Sequence, residues 1–472
     1  MGDLLTGMGD SRLLLDIFRC RSEEFSAQER YLLARLVLLD DESLGLTVKE
    51  LSDAVGMSSS SFINARNRLS EKQLINIRQV PVKSSESQLG LQLRGRPRKG
   101  IGINLERLRS YLSIGRVEPL GPVEERVGLI VTGIIEFQLN VKLALPTSHG
   151  DEMSPNASVR PESRVLLSVL WVHAAESGVV TGLGRKELAL LSGLRVGQVA
   201  LQVQKLIEQG YIRHWVPGMT CKGLFGVGSG VLFLNPAPIE AVGLGRPVTT
   251  YVQSDVLSGL RGLISKIHGV KAKLQILADM PSKDRKVGKG TPLYLSERGS
   301  LLTLLCSFHL DKESCTDEGL PDLLSGLPDE GALTDQTLEQ GFLLDRVFLD
   351  GQVGKASRYL CARLMVYAGH LLTDLAKMGL QTQPTRDEVS NELVARITKE
   401  AIPGYLKLEE DQSEWIGRLL SGFALQLARD AWNAVERQRG GLNRFQRQVG
   451  VYQIIPQKGE VDFEVVFWSA HT

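Results

Sequence analysis

From residue 26 onward the apolar positions fall three and four apart. Leu32, Leu33, Leu36 and Leu39 share one face of a helix predicted over 26–39, and Ser26 stands three residues before Glu29, the spacing of a reciprocal N-terminal cap. After a turn-forming stretch around Gly45, Thr47 and Glu50 repeat that spacing and open a short helix through Leu51, Ala54 and Val55, closed by Gly56. Ser58 or Ser59 can cap a third helix in which Phe62, Ala65 and Leu69 face a core. The period then changes to two in Leu74–Val80 and again in Gly100–Leu105, which predicts a pair of strands joined by a polar loop. Three short helices with tight connections form a helix-turn-helix pattern.

The same order recurs downstream. Pro161 and Glu162 start a helix carrying Val165, Leu166, Val169, Leu170 and Val172, followed by helices at Leu183–Leu191 and Val196–Gln209 and by strands at Tyr211–Val216 and Gly230–Leu234 around a glycine-rich tip. LIEQGYI in this second copy parallels KQLI in the first, a repeat of pattern more than of identity. Residues 146–160 (PTSHGDEMSPNASVR) have the composition of a linker. Beyond 240, helical spacing runs through Val252–His268, Arg298–His309, Lys355–Lys377, Asp387–Glu400 and Ser413–Gln438, and the last 25 residues read as two strands.

Hydrophobic residues make up 43% and charged residues 23% of the 472 positions, an ordinary globular composition with enough apolar side chains for a substantial core. The acidic and basic residues near the start do not suit a secretory signal, and the longest apolar stretch, Val127–Leu145, contains Glu136, Asn140 and Lys142 and makes a poor bilayer span. A cytoplasmic protein without a membrane partner is expected. Five scattered cysteines, Cys20, Cys221, Cys306, Cys315 and Cys361, give no paired framework and suit reduced thiols. The net charge is only +1, yet it is segregated. Residues 60–116 hold twelve Lys or Arg against three Glu, whereas residues 311–350 hold eleven acids against two bases. A basic segment in a neutral protein is the electrostatic footprint of a nucleic-acid contact surface.

The element order, with SSSSFINARNRLSEKQLI followed by GRPRKGIGINL, resembles the winged-helix transcription regulators of bacteria over about 80 residues. The resemblance implies a winged helix in the first copy, and the repeat of pattern a second; beyond 240 no family is recognised, and helical spacing with two final strands completes the expected fold, mainly α with small β-wings: two winged-helix domains followed by a helical C-terminal domain that ends in a short β-hairpin. The expected organisation is an N-terminal helical extension (1–24), a first winged helix with its following segment (25–145), the linker, a second winged helix (161–240) and a mainly helical domain (241–472) with an acidic insertion at about 311–340. A major groove admits one helix, and small polar side chains read its base edges. In the first copy Ser59, Ser60, Ser61, Asn64, Asn67 and Arg68 are expected to face outward, with Lys72 on phosphate. Arg94, Arg96, Arg98 and Lys99 form a basic wing tip whose Arg-Gly-Arg-Pro core is similar to peptides that lie in A·T minor grooves. In the second copy the expected outward set includes Arg195, Gln198, Gln202 and Lys205, in a region with fewer bases. There, domain packing is as natural a role as DNA contact.

Enzyme signatures are thin. The glycines between 223 and 230 lack a phosphate-loop lysine followed by Ser or Thr, and so does Gly288-Lys289-Gly290-Thr291. Cys306, His309 and Cys315 lack a fourth zinc ligand at suitable spacing. No catalytic residue, cofactor or metal is expected. The basic loop containing Lys283, Arg285, Lys286 and Lys289 suits phosphate contact or simple solvation. Double-stranded DNA is the expected partner, with homodimer formation and a protein partner assigned to the C-terminal helices. Transcription regulation comes first among the roles. A plasmid-type replication initiator or partition protein, or a winged-helix adaptor between proteins, is the alternative.

Overall fold

The structure is a computed structural model and describes residues 3–39, 47–79, 99–112, 120–136, 159–221, 226–236, 248–253, 353–377, 391–401, 410–439, 450–456 and 462–469. The described residues are mainly helical, with small antiparallel sheets. They divide into two units, one formed by 1–213 with 234–243 and the other by 214–233 with 244–472. Among the described residues no helix is long and apolar enough to cross a membrane.

The first unit contains α1 (Asp3–Arg19), α2 (Ala27–Leu38), α3 (Val48–Val55), α4 (Ser59–Glu71), β1 (Ile75–Gln79), β2 (Lys99–Ile103), α5 (Leu105–Tyr111), α6 (Pro122–Ile135), α7 (Pro161–Val172), β3 (Val179–Val180), α8 (Arg185–Ser192) and α9 (Val196–Glu208). The reciprocal caps expected at α2 and α3 are present. Ser26 accepts from Glu29 N while Glu29 returns to Ser26 N, and Thr47 and Glu50 do the same. Ser58 is the residue that caps α4. β1 and β2 pair antiparallel from Ile75 opposite Ile103 to Gln79 opposite Lys99. Leu105, assigned to that strand from its alternation, instead opens α5, because Asn104 accepts from Arg107 N and caps the helix.

The internal repeat extends to the hydrogen bonds. Lys72, Gln73 and Leu74 donate their N–H groups to the carbonyls of Arg68, Ser70 and Leu69; Gln209, Gly210 and Tyr211 donate to Lys205, Ile207 and Leu206. Asn104 N donates to Leu74 O, and Asn235 N to Tyr211 O. Gly56 and Gly193 end α3 and α8 in the left-handed region, with φ of 75° and 68°, and Gln73 and Gly210 occupy that region after α4 and α9. At a constant offset the two copies place Phe62 with Val199, Ala65 with Gln202 and Leu69 with Leu206, and all six are buried.

A further helix precedes each copy and is held the same way. The last carbonyls of a helix have no partner within it and carry partial negative charge, so a buried cation is well placed there. Arg30 of α2, 1% exposed, donates through Nη1 to Ile17 O at the end of α1 (2.7 Å) and through Nη2 to Ser22 O and Leu190 O. Arg164 of α7, 3% exposed, donates through Nη1 to Ile134 O at the end of α6 (2.5 Å) and through Nε to Val159 O (2.9 Å). Arg35 and Tyr31 supply Ala54 O and Val55 O at the end of α3. The copies share one core in which α2 packs on α7 and α6 on α7. Gln28 donates to Glu162 at 3.3 Å, and Ala27 N donates to Gly193 O at 3.2 Å. A Cβ at Gly193 would stand 2.2 Å from Phe25 O, so this approach requires glycine for space as well as for φ.

Strands β4 (Ile212–Val216) and β7 (Val231–Leu234) follow the second copy, and the division between units runs through both. They form a sheet in the order β3-β7-β4. Between them lies a second ladder, β5 (Met219–Cys221) with β6 (Gly226–Gly228), where the glycine content predicts only a tip. The second unit continues with β8 (Val248–Gln253), α10 (Val353–Lys377), α11 (Asn391–Ala401), α12 (Glu410–Arg439), β9 (Gly450–Pro456) and β10 (Asp462–Ser469). Two corrections arise here. Val252 and Gln253, expected to open a helix, belong to a strand, and the terminal hairpin is a three-stranded sheet in the order β8-β10-β9. β8 supplies the pairing: its register runs from Val248 opposite Phe467 to Gln253 opposite Asp462. The rest of the predicted Val252–His268 helix, the Arg298–His309 helix, the cysteine and histidine cluster, the basic loop at 283–289 and the acidic insertion lie outside the described residues. α10 covers β9, with Thr373 Oγ1 accepting from Tyr452 N, and Tyr359 donates to Ser229 O beside β6. Arg363, Tyr367 and Glu400 join α10 to α11.

Replacing Arg164 by leucine leaves the carbonyls of Val159 and Ile134 without their donor in a buried site. Each unsatisfied acceptor costs about 1–3 kcal/mol, so the first unit is expected to lose about 3 kcal/mol. A lower urea midpoint measures the loss; an unchanged one would mean that the guanidinium contributes nothing net.

Candidate nucleic-acid interface

α4 is positioned by its apolar side. Phe62 and Leu69 are fully buried and Ala65 nearly so, which turns Asn64, Asn67 and Arg68 outward, where all three are exposed. At the N-terminal end, Ser58 Oγ accepts from Ser61 N at 3.3 Å and donates to Ser61 Oγ at 3.0 Å. Ser59 and Ser60 are exposed, although Ser59 Oγ lies 3.0 Å from Ser52 Oγ and Ser60 Oγ lies 3.3 Å from Ser58 Oγ. Ser61 is half-buried and also accepts from Gln28. The outward face therefore presents hydroxyls, amides and a guanidinium with no acid before Glu71. Asn67 Oδ1 accepts from Arg66 Nη2 at 3.0 Å, which leaves its NH₂ as donor.

Lys72 does not belong to this face. Its Nζ donates to Glu29 Oε1 at 2.7 Å and to Glu24 O, and it lies 4.9 Å from the centroid of the Phe25 ring. The ammonium thus holds the end of α4 against α2, an internal role in place of the expected phosphate contact. Of the basic tip, Arg94, Arg96 and Arg98 lie outside the described residues, and Lys99 opens β2 opposite Gln79.

The second copy differs. Gln202 is 9% exposed and its Oε1 accepts from Ser163 Oγ at 2.6 Å, so its assignment to the outward face is corrected. Aligning Gly56 with Gly193 places Gln202 on the core position of Ala65, a signal already present in the sequence. Arg195 precedes α9 and is exposed, but Gln198 Oε1 accepts from Arg195 N at 3.0 Å and serves as a cap. Lys205 is half-buried. Two large apolar side chains, Val196 at 46% and Leu201 at 56%, stand exposed on this helix, and sequence reasoning assigned neither to a site. Among the described residues no group of His, Cys, Asp or Glu is arranged to hold a metal ion, and Cys20 and Cys361 form no disulfide.

Burial pushes the Glu29 carboxyl up, but hydrogen bonds from Lys72 and from the Ser26 hydroxyl and backbone, with the Lys72 charge, outweigh it and hold the group below its ordinary value. A depressed folded-state pKa adds stability above the unfolded value of about 4.3 and loses it as pH falls through the folded value. Lys72→Met is therefore expected to lower the melting temperature at pH 7, with the difference from wild type shrinking as acid protonates Glu29. Thermal denaturation from pH 7 to 3 reads this directly. A difference independent of pH would place the role of Lys72 in packing on Phe25.

Comparison with protein-family models, with curated proteins and with solved structures finds no match for this chain.

Proposed function

We propose that this chain is a non-enzymatic, sequence-selective double-stranded-DNA-binding protein built on two tandem winged helices, and that it regulates transcription. The observation that carries the reading is the outward face of α4. Asn64, Asn67 and Arg68 stand exposed on a third helix whose other side is locked in the core, and that helix opens a segment of twelve basic residues against three acidic ones. An asparagine amide can donate to and accept from adenine in the major groove, whereas an arginine at the flank meets phosphate. Phosphate contacts supply the affinity and the α4 amides supply selectivity. The strands that follow α4, with Arg94, Arg96, Arg98 and Lys99 between or on them, fit the wing of such a domain.

Asn64→Ala is expected to cost about 1–3 kcal/mol on the preferred duplex and much less on random DNA, whereas Arg68→Ala weakens both alike and reduces the salt slope by about one. Competition binding across a salt series on both duplexes separates them. Equal losses from Asn64→Ala on both would remove base reading from α4, and a chain with no salt-sensitive duplex affinity would remove DNA binding altogether.

The second unit is proposed to mediate self-association, since winged-helix proteins commonly pair to read two half-sites. Light scattering at micromolar concentration, with and without the selected duplex, is expected to give a dimer. A monomer in both conditions rejects this part of the reading.

A further inference from the structure

The constant offset between the two copies allows their outward helices to be compared position by position. Ser60, Asn64, Asn67 and Arg68 of α4 correspond to Gly197, Leu201, Gln204 and Lys205 of α9, and Ser59 corresponds to Val196. The correspondence rests on the shared backbone: the same hydrogen bonds follow both helices, and left-handed residues flank them at the same positions. The exposed position held by an amide in the first copy is therefore held by a leucine, 56% exposed, in the second. An exposed serine is likewise replaced by a valine that is 46% exposed.

Exposed leucine at a position facing a ligand needs a ligand with an apolar feature. Cations accompany the helix that carries this pair: Arg195 precedes it and is exposed, Lys205 within it is half-buried, and Lys186 is exposed on α8, which packs on α9. Of the nearby acids, Glu187 is paired with Arg21 at 2.6 Å, and Glu208, at the far end of α9, accepts from Gln204. Apolar side chains bordered by cations match a duplex, in which phosphates rim the major groove and the C5-methyl of thymine is the apolar group on its floor. A purely apolar protein partner would leave those cations without complementary charge.

We infer that the two copies read different chemistry from one asymmetric site: α4 reads base edges by hydrogen bonding, and α9 reads thymine methyl groups through Leu201 and Val196. The inference rests on the DNA-binding reading and adds to it a two-part site, thymine-bearing where α9 lies. Gln202, the polar neighbour of Leu201 in sequence, is buried and bonded to Ser163 instead.

The test uses the full chain. Duplexes are selected from a random library, and the thymines of each half of the stretch bound by one copy of the chain are replaced in turn by deoxyuridine, which removes only the methyl group. Uracil in one half is expected to weaken binding about fourfold for each contacted methyl, the equivalent of one buried carbon. That sensitivity should vanish in Leu201→Ala combined with Val196→Ala and persist in Asn64→Ala. Because both apolar residues are exposed, the double variant is expected to keep the wild-type circular dichroism and melting temperature. A site insensitive to uracil throughout, or one whose sensitivity survives the double variant, overturns the inference and leaves the DNA-binding reading standing. Two identical halves within the stretch bound by one copy of the chain also overturn it. Failure to select any duplex overturns both together, and loss of a protein contact without change in DNA affinity assigns the apolar pair to that contact instead.

Discussion

The first unit depends on a guanidinium buried against the carbonyl end of a neighbouring helix. Arg30 and Arg164 occupy matching places in the two copies, and each supplies the donors that a helix terminus cannot find within itself. Arginine suits the task because its planar fork can serve several acceptors and keeps its charge when buried. Arg30 reaches α1, the loop at Ser22 and α8 at once, and thereby ties one copy to the other. A leucine in that place would pack comparably and leave three carbonyls dry.

This bonding also explains why the copies diverge outside and not inside. The inner faces of α4 and α9 are held to one geometry by the turn that follows each helix, so the backbone repeats while identities drift. Gln202 stands buried where the first copy has Ala65, and Ser163 donates to its amide oxygen. The outer faces carry no such constraint, and there asparagine and arginine contrast with leucine and half-buried lysine.

Much of this arrangement is legible in the sequence where the signal is local. The Ser26–Glu29 and Thr47–Glu50 caps, the Gly56 terminus and the alternation of Ile75–Gln79 rest on neighbours a few residues away, and the structure places all of them as expected. Features set by distant partners are less legible. Lys72 reads as a free cation until Glu29, far back in the chain, is brought against it. Val252 reads as helical until β10, near the end of the chain, pairs with its strand. The helices α1 and α6 belong to the repeat only through carbonyls that arginines reach across the core, and a carbonyl leaves no mark on its residue's identity. On the candidate interface, the direction of Asn64, Asn67 and Arg68 follows from the spacing of Phe62, Ala65 and Leu69, whereas the inward turn of Gln202 requires the alignment of the two copies.

The shared core has a consequence for divisibility. By composition the stretch before Arg160 looks like a seam along which the chain could be parted into two independent modules. Yet Arg164 takes its acceptor from α6 on the near side of that seam, Arg30 takes one from α8 on the far side, and Gly193 sits directly under the backbone that leads into α2. Neither copy retains a complete interior without the other. The two copies therefore stand or fall as one object, in which a change beneath one surface must be tolerated by both.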